Sequence, residues 1–213
     1  MVGPSRIAYG TVIPAGTICR QDILEEGKIF AAPEAPKAPR VFAARIYRGI
    51  DRIVANNLIY IGNLWALKAW YRLVRMRTMS GDVFSQTCHA GALARIEDCL
   101  KERIQRMSEL ADKIAYSAKN ARAETGEDLP SVIKARQQAL EDHWPDMEAR
   151  LIAGSPAAAG SANRDVFLQA WQHADAASGH SEAVRGLNPS ARKAGTAWLQ
   201  EIVESASALW TDL

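Results

Sequence analysis

Residues 92–114 read ALARIEDCLKERIQRMSELADKI and carry the clearest helical period in the chain. Apolar side chains recur there at spacings of three, four and seven, and charged side chains fill the positions between them. The recurring apolar residues are Leu93, Ile96, Leu100, Ile104, Met107, Leu110 and Ile114. Such a stripe predicts one long amphipathic helix, a coiled-coil-like arm over residues 82–123. The fold class is therefore predicted to be mainly α.

The sequence that follows the arm, TGEDLP at residues 125–130, indicates a tight connection between two helices. Gly126 can adopt the left-handed conformation that ends a helix, Asp128 can cap the next helix, and Pro130 suits its first turn. The apolar residues of the next helix that are expected to face the arm are Val132, Ile133, Leu140, Trp144, Met147 and Leu151. This pattern predicts a long antiparallel helical hairpin or bundle.

A further helical pattern precedes the arm and runs from residue 40 to about residue 79. Its apolar side chains recur at spacings of three and four, and they form a stripe wider than one neighbouring helix can cover. Because so wide an apolar face would be an aggregation liability if left in water, this helix is expected to pack against at least two neighbours. Together with the hairpin it makes residues 40–153 one helical bundle.

The chain after the bundle is predicted to continue through a linker into a second helical region. Residues 154–162 read GSPAAAGSA, and small residues of this kind predict a flexible linker. Residues 163–213 contain two more amphipathic patterns, the second of which starts with Asn188 as its expected cap. Trp198 and Trp210 in that last helix are interpreted as core or interface anchors.

Two groups of cationic residues in the first helix are candidate phosphate-binding sites. The groups are Arg45, Arg48 and Arg52, and farther along Lys68, Arg72 and Arg75. Spacings of three and four place each group on one helical face, and aromatic residues lie among them. Such a face can bind the phosphates of a nucleotide sugar or of RNA, because cations neutralise phosphate charge and aromatic rings stack on bases. Solvated arginines and salt bridges between helices are the alternative explanation.

The N-terminal residues divide into segments of six, MVGPSR, IAYGTV, IPAGTI and CRQDIL, whose columns agree. The column of bulky residues holds Met1, Ile7, Ile13 and Cys19. This register is that of a hexapeptide β-helix, in which three hexads make one triangular coil. A coil buries its apolar face only against neighbouring coils, so the single coil predicted over residues 1–30 is expected to continue an array that lies upstream in a longer protein, the alternatives being that it docks on the helices that follow or on another subunit. A β-hairpin or a pair of edge strands is the alternative.

Residues 31–39 read AAPEAPKAP, in which proline recurs at every third position. Proline fixes its own φ and biases the residue before it toward extended geometry. The segment is therefore predicted to be a polyproline II strut that separates the coil from the helices.

Composition, net charge and cysteine spacing limit the classes of protein to which the chain can belong. A chain of 213 residues with 48% apolar side chains fits one or two globular domains. A net charge of +2 neither requires nor excludes a polyanionic partner. The three cysteines lack zinc-ligand spacing, which implies no metal site and favours reduced thiols in the cytoplasm. The most hydrophobic stretch, 53–67, is interrupted by asparagine and glycine, so no membrane span is expected.

Two stretches resemble proteins of sugar-nucleotide metabolism. GTVIPAGTICRQDI, residues 10–23, resembles the closing coil of the left-handed β-helix in bacterial bifunctional UDP-N-acetylglucosamine pyrophosphorylase/glucosamine-1-phosphate acetyltransferases. NNLIYIGNLWALKAWYRLVR, residues 56–75, is similar to the helical C-terminal region of bacterial UDP-N-acetylglucosamine pyrophosphorylase-related proteins. The first resemblance covers about a tenth of the chain, and it implies that the short coil is left-handed.

The resemblance implies a function and a set of contact residues. In the acetyltransferase family the alanine of the Ala-Gly-Thr turn lies against acetyl-CoA, and Ala15 occupies that place here, with Arg20 and Lys28 as the nearest basic residues for the cofactor phosphates. By resemblance the chain is the C-terminal assembly or lid domain of a sugar-nucleotide-handling transferase. It is expected to form a homo-trimer and to be catalytically inactive alone. A helical oligomerisation scaffold and a basic nucleic-acid-binding module are the alternatives.

Overall fold

The computed structural model describes residues 5–30, 45–126 and 128–211, except for the side chains of residues 124 and 125. The chain divides into two compact units, Met1–Phe42 and Ala43–Leu213. Helices account for most of the described residues, and all of them lie in the second unit. The prediction of a mainly α fold is therefore confirmed. The predicted polyproline II strut lies outside the described residues.

The described residues of the first unit, 5–30, form no β-strand. Two isolated parallel bridges are present instead, Ile7 with Ile23 and Val12 with Ile29. The paired residues lie 16 and 17 positions apart, whereas a coil of three hexads pairs residues about 18 apart. The predicted β-helix coil is thus not supported. The physical reason is that a parallel ladder extends only when each rung has a neighbour on both sides, and one turn of chain supplies a single neighbour.

Side-chain burial in the first unit is equally limited. Cys19, from the predicted column of bulky residues, is buried, and its thiol donates to the backbone oxygen of Gln21 at 3.3 Å. The apolar side chains of Val12, Ile18 and Leu24 are each more than half exposed. The unit is therefore held mainly by backbone hydrogen bonds between its two bridged segments, the shortest of them 2.7 Å long.

The second unit consists of helices α1 to α9 with one π-helical and one 3-10 turn. In chain order these are α1 Ile50–Trp70, the π turn Tyr71–Arg75, α2 Met76–Thr78, α3 Val83–Ile114, α4 Ser117–Thr125, α5 Ser131–Ala153, α6 Pro156–Ala159, α7 Ala162–Gln172, the 3-10 turn Ala176–Ser178, α8 His180–Gly186 and α9 Pro189–Thr211. Within the described ranges, none of these helices combines the length and the apolarity needed to cross a bilayer.

The first long helix starts later than the sequence predicts. Residues 45–49 form turns and irregular backbone, and α1 begins at Ile50. Arg45 has a φ of 60°, a left-handed conformation that a right-handed helix cannot include. After α1 the helical backbone continues through the π turn into α2, so its far end agrees with the predicted end near residue 79.

The predicted arm is present as two helices, α3 and α4. Its apolar stripe is mostly buried, as expected, at Ile96, Leu100, Ile104, Met107 and Ile114. Gly126 ends α4 with a φ of 72°, which confirms the predicted left-handed cap.

The predicted cap of the next helix is wrong. Asp128 does not cap α5, because Pro130 lies immediately outside the helix with a ψ of 143° and the helix begins only at Ser131. The Asp128 carboxylate instead lies 3.7 Å from the Lys134 ammonium. Among the described residues, no side chain caps the first turn of α5.

Helix α5 packs against α3 and completes the predicted antiparallel hairpin. Four of the apolar residues expected to face the arm are buried, namely Leu140, Trp144, Met147 and Leu151. Val132 is an exception, since its side chain is 70% exposed. It lies in the first turn of α5, before the buried stripe begins.

Helix α1 is the element around which the others pack, because it contacts α9, α3, α5 and α6. This arrangement confirms the expectation that its wide apolar stripe needs at least two neighbours. The contact with α9 is closest at Gly62. A Cβ built there would lie 2.9 Å from the Cα and the backbone oxygen of Val203, so only glycine allows the two helices to approach this far.

Residues 154–162, which the sequence predicts to be a flexible linker, contain the short helix α6 packed on α9. Two hydrogen bonds attach the segment. The Trp198 indole N–H donates to the Ala157 oxygen at 3.1 Å, and the Ser205 hydroxyl donates to that of Ser155 at 2.7 Å. Small side chains here permit close packing on α9. Trp198 and Trp210 are both buried, as expected of core anchors.

A pair of glycine substitutions tests the close approach of α1 and α9. In Gly62→Ala the added methyl meets the backbone of Val203, which cannot move away without shifting α9, so we expect a loss of about 1–3 kcal/mol in unfolding free energy. Gly91→Ala is the matched control, because a Cβ at this helical position meets nothing within 4 Å. It should stabilise the protein by about 0.5–1 kcal/mol. Urea denaturation measures both, and equal effects would contradict the packing described.

Candidate functional site

A cavity of about 460 Å³ opens between α1, the π turn, α3, the end of α5, α6 and the start of α7. Its volume lies in the range of small-molecule binding sites. The long side chains of α1 and α3 form one side, and the small residues Gly154, Ala158 and Ala159 form part of the other.

Cationic side chains dominate the polar part of the cavity. Lys68 and Arg72 project from α1 and the π turn, Lys101 from α3 and Arg164 from α7. Glu97 is the one carboxylate among the residues that line it. Lys68 and Arg72 are four residues apart, and so are Glu97 and Lys101. A spacing of four brings both members of a pair to the same side of the helical backbone. The cavity is thus lined by four cationic side chains and only one anionic side chain, that of Glu97.

Lys68 and Glu97 form a salt bridge across the α1–α3 interface. The hydrogen bond from the Lys68 ammonium lowers the pKa of Glu97 below its ordinary value, and the positive charges of Lys68, Lys101 and Arg72 act in the same direction, whereas burial opposes them. Within the described part of the chain, neither Arg72 nor Lys101 forms a salt bridge. The cluster therefore carries positive charge in excess of its one carboxylate.

Arg164 is incompletely paired where it borders the cavity. Its Nη1 donates to Asp165 at 2.9 Å. Its Nε is buried and has no hydrogen-bond partner among the described residues. A buried donor without a partner costs free energy, and an acceptor on a bound molecule would remove that cost.

The π turn Tyr71–Arg75 borders the cavity through Arg72 and Leu73. Single π turns within α-helices are rare and occur frequently at functional sites. Arg75, at the end of the same turn, does not line the cavity and lies instead near His180. Burial lowers the pKa of His180, and the Arg75 charge lowers it further.

The structure separates the six candidate phosphate-binding residues into different surroundings. Lys68 and Arg72 meet at the cavity, as their spacing predicts. The other group does not share a helical face, because α1 begins at Ile50 and includes only Arg52. Arg45 and Arg48 precede the helix and are exposed. The irregular backbone at Arg45 is the reason that the predicted alignment fails.

The three contact residues implied for acetyl-CoA lie in the first unit and are exposed there. Ala15 is in a turn in which the Thr17 N–H donates to the Pro14 oxygen at 3.1 Å. Lys28 pairs with Glu25 at 3.2 Å, and Arg20 forms no salt bridge within the described ranges. The role of Ala15, Arg20 and Lys28 in cofactor binding stays a prediction.

Three residues of the cavity, Glu97, Lys101 and Arg164, are absent from the sequence-based candidates. Glu97 and Lys101 belong to the charged positions of the arm, which are typical of a solvated helix face. Arg164 follows a segment interpreted as a linker. Glu97 and Lys101 are four residues apart, as are Lys68 and Arg72, and this spacing is visible in the sequence. It indicates a shared site only once α1 and α3 are known to be neighbours.

The described residues contain no group of three or more His, Cys, Asp or Glu side chains that could hold a metal ion. Comparisons of the chain with protein-family models, with curated proteins and with solved structures found no match. Any function assigned to the cavity therefore has to rest on its own geometry and charge.

Acid titration tests the charge cluster. Because the pKa of Glu97 is lower in the folded than in the unfolded chain, its contribution to stability is present above the ordinary glutamate pKa of about 4.3 and is lost as pH falls through the lower folded value. The unfolding free energy of wild type should therefore exceed that of Glu97→Gln by the largest amount near neutral pH. The difference should disappear below about pH 4. The half-exposed pair limits the effect to less than about 1 kcal/mol.

Urea denaturation across this pH range measures the difference in unfolding free energy. The exposed position Glu141 on α5 supplies the control, since Glu141→Gln removes one carboxylate outside the cavity. A Glu97→Gln variant that keeps the full pH dependence of wild type would contradict the role given to the Lys68 salt bridge.

Proposed function

We propose that the helical unit is a binding module for a small anionic molecule, which it takes into the cavity between α1, α3 and α5–α7. One observation carries this proposal, namely that four cationic side chains and one carboxylate line the same cavity. A phosphate or carboxylate group placed among Lys68, Arg72 and Lys101 would neutralise the excess charge. Arginine and lysine are the side chains that bind these groups most strongly.

A small anion suits the site better than a nucleic acid does. The cations converge on a cavity of about 460 Å³, which has the size of a small-molecule site. Binding of a nucleic-acid strand needs cations and aromatic rings along an open groove. Arg45, Arg48 and Arg52 do not form such a row, because only Arg52 is in a helix.

The assembly or lid role in a sugar-nucleotide-handling transferase is the more specific form of the proposal. It comes from the resemblance of residues 10–23 and 56–75, and the second of these stretches includes Lys68 and Arg72. A homo-trimer with acetyl-CoA or a nucleotide sugar as ligand belongs to this form of the proposal.

Charge variants test anion binding by isothermal titration calorimetry with pyrophosphate. Arg72→Gln and Lys101→Gln each remove one cation from the cavity, and each should weaken binding about threefold to tenfold. Lys119→Gln on α4 is the matched control, because it removes an exposed cation that does not line the cavity, and its affinity should equal that of wild type.

A variant that removes a negative charge, where the others remove a positive one, completes the test. Glu97→Gln removes the one carboxylate among the lining residues, so it should tighten pyrophosphate binding by a similar factor. Equal weakening by all three cation variants, or no binding by wild type at low salt, would contradict the proposal. UDP-N-acetylglucosamine, acetyl-CoA and a short RNA, titrated in the same way, distinguish the more specific ligand classes.

A further inference from the structure

The geometry points to an amphipathic anion as the ligand of this cavity, a molecule with a phosphate or carboxylate head and an acyl or alkyl chain. This inference rests on the proposed function, because it takes the binding of the anionic head as given. It adds the chemical nature of the rest of the ligand, which is apolar.

The walls beyond the cation cluster are apolar. Trp65 from α1, Leu100 and Ile104 from α3, and Leu151 from α5 are buried side chains that line the cavity. Ile152 lines it as well, and 70% of its side chain is exposed. An exposed isoleucine at the border of an apolar cavity loses contact with water when an apolar group binds beside it, and that loss is favourable.

Uncharged polar side chains that could recognise a sugar or a base are scarce in the lining. Ser155 is the one hydroxyl side chain among those that line the cavity, and the indole N–H of Trp65 is the one other uncharged side-chain donor. The Ser155 hydroxyl is buried and already accepts a hydrogen bond from the Ser205 hydroxyl at 2.7 Å. A nucleotide or sugar bound here would have to bury hydroxyl and amide groups for which the five charged side chains, Ser155 and the Trp65 indole are the partners, and each group left unpaired would cost free energy. An alkyl chain has no such cost.

The end of α5 indicates how the ligand lies. Residues 151–153 are the last of that helix and line the cavity, and the C-terminal end of a helix carries partial negative charge. An anionic head is repelled from this end and attracted by the cations, Lys68, Arg72 and Lys101 on the side of α1 and α3 and Arg164 on α7. The chain of the ligand therefore extends from the cation cluster toward Leu151 and Ile152.

A homologous series of alkyl phosphates tests the inference on the full chain. Butyl, hexyl, octyl and decyl phosphate, each below its micelle concentration, are titrated by calorimetry beside inorganic phosphate. We expect the affinity to rise about fourfold for each methylene buried, until the chain fills the cavity and the affinity levels off. Octyl trimethylammonium has the same chain with a cationic head, and it should not bind.

A matched pair of variants locates the chain of the ligand. Ile152→Ser should weaken octyl phosphate binding severalfold and leave inorganic phosphate binding unchanged, because only the chain reaches this residue. Val132→Ser is the control, since Val132 lies on the same helix, is also 70% exposed and does not line the cavity. Both substitutions are at exposed positions, so both variants should fold.

The outcomes separate this inference from the proposed function. If inorganic phosphate binds with the expected charge dependence but chain length has no effect, the inference is overturned and anion binding stands. UDP-N-acetylglucosamine binding at least tenfold more tightly than octyl phosphate would also overturn it, in favour of a nucleotide ligand. If no anion binds, both fail. Equal effects of Ile152→Ser and Val132→Ser would place the chain of the ligand elsewhere and contradict the inference.

Discussion

The close contact between α1 and α9 at Gly62 is the constraint on which the rest of the helical unit depends. Glycine allows the backbone of Val203 to lie where a Cβ of any other residue would be. With α9 this close, the opposite sides of α1 are left to α3, α5 and α6, and the wide apolar stripe of α1 is buried on several sides. The same α9 holds α6 through the indole of Trp198. The position of α1 therefore determines where both walls of the cavity lie.

The cavity and its charges follow from this packing. The apolar stripes of α1 and α3 face each other, so the charged residues at the edge of one stripe meet those at the edge of the other. Lys68 and Glu97 pair there, and Arg72 and Lys101 add cations that Glu97 cannot balance. Like charges close together destabilise a fold unless a counter-charge is present. A cluster of this kind is a physical reason for a protein to bind anions, and the apolar walls beside it favour an anion with a hydrophobic part.

Periodicity in the sequence predicts the helices well, because the spacing of apolar side chains is a property of each helix alone. The buried face of α3, the left-handed cap at Gly126 and the anchor role of Trp198 agree with the structure. Predictions that depend on the packing of neighbouring elements agree less well with the structure. The short α6 has four residues, too few for an apolar period to be visible in the sequence, and it packs on α9. Residues 5–30 form two isolated bridges and no strand, because a ladder extends only where further rungs lie beside it. For the site, sequence spacing identifies Lys68 and Arg72, whereas Glu97, Lys101 and Arg164 join them only through tertiary packing.

Chemical-shift mapping by NMR during titration with octyl phosphate tests the central claim most directly. If the cavity binds the ligand as described, the largest changes in backbone and side-chain signals belong to Lys68, Arg72, Lys101 and Arg164 and to the apolar residues at the end of α5, and they saturate together with one dissociation constant. Changes confined to residues 45–52, or spread evenly over the exposed cations without saturation, would contradict the account.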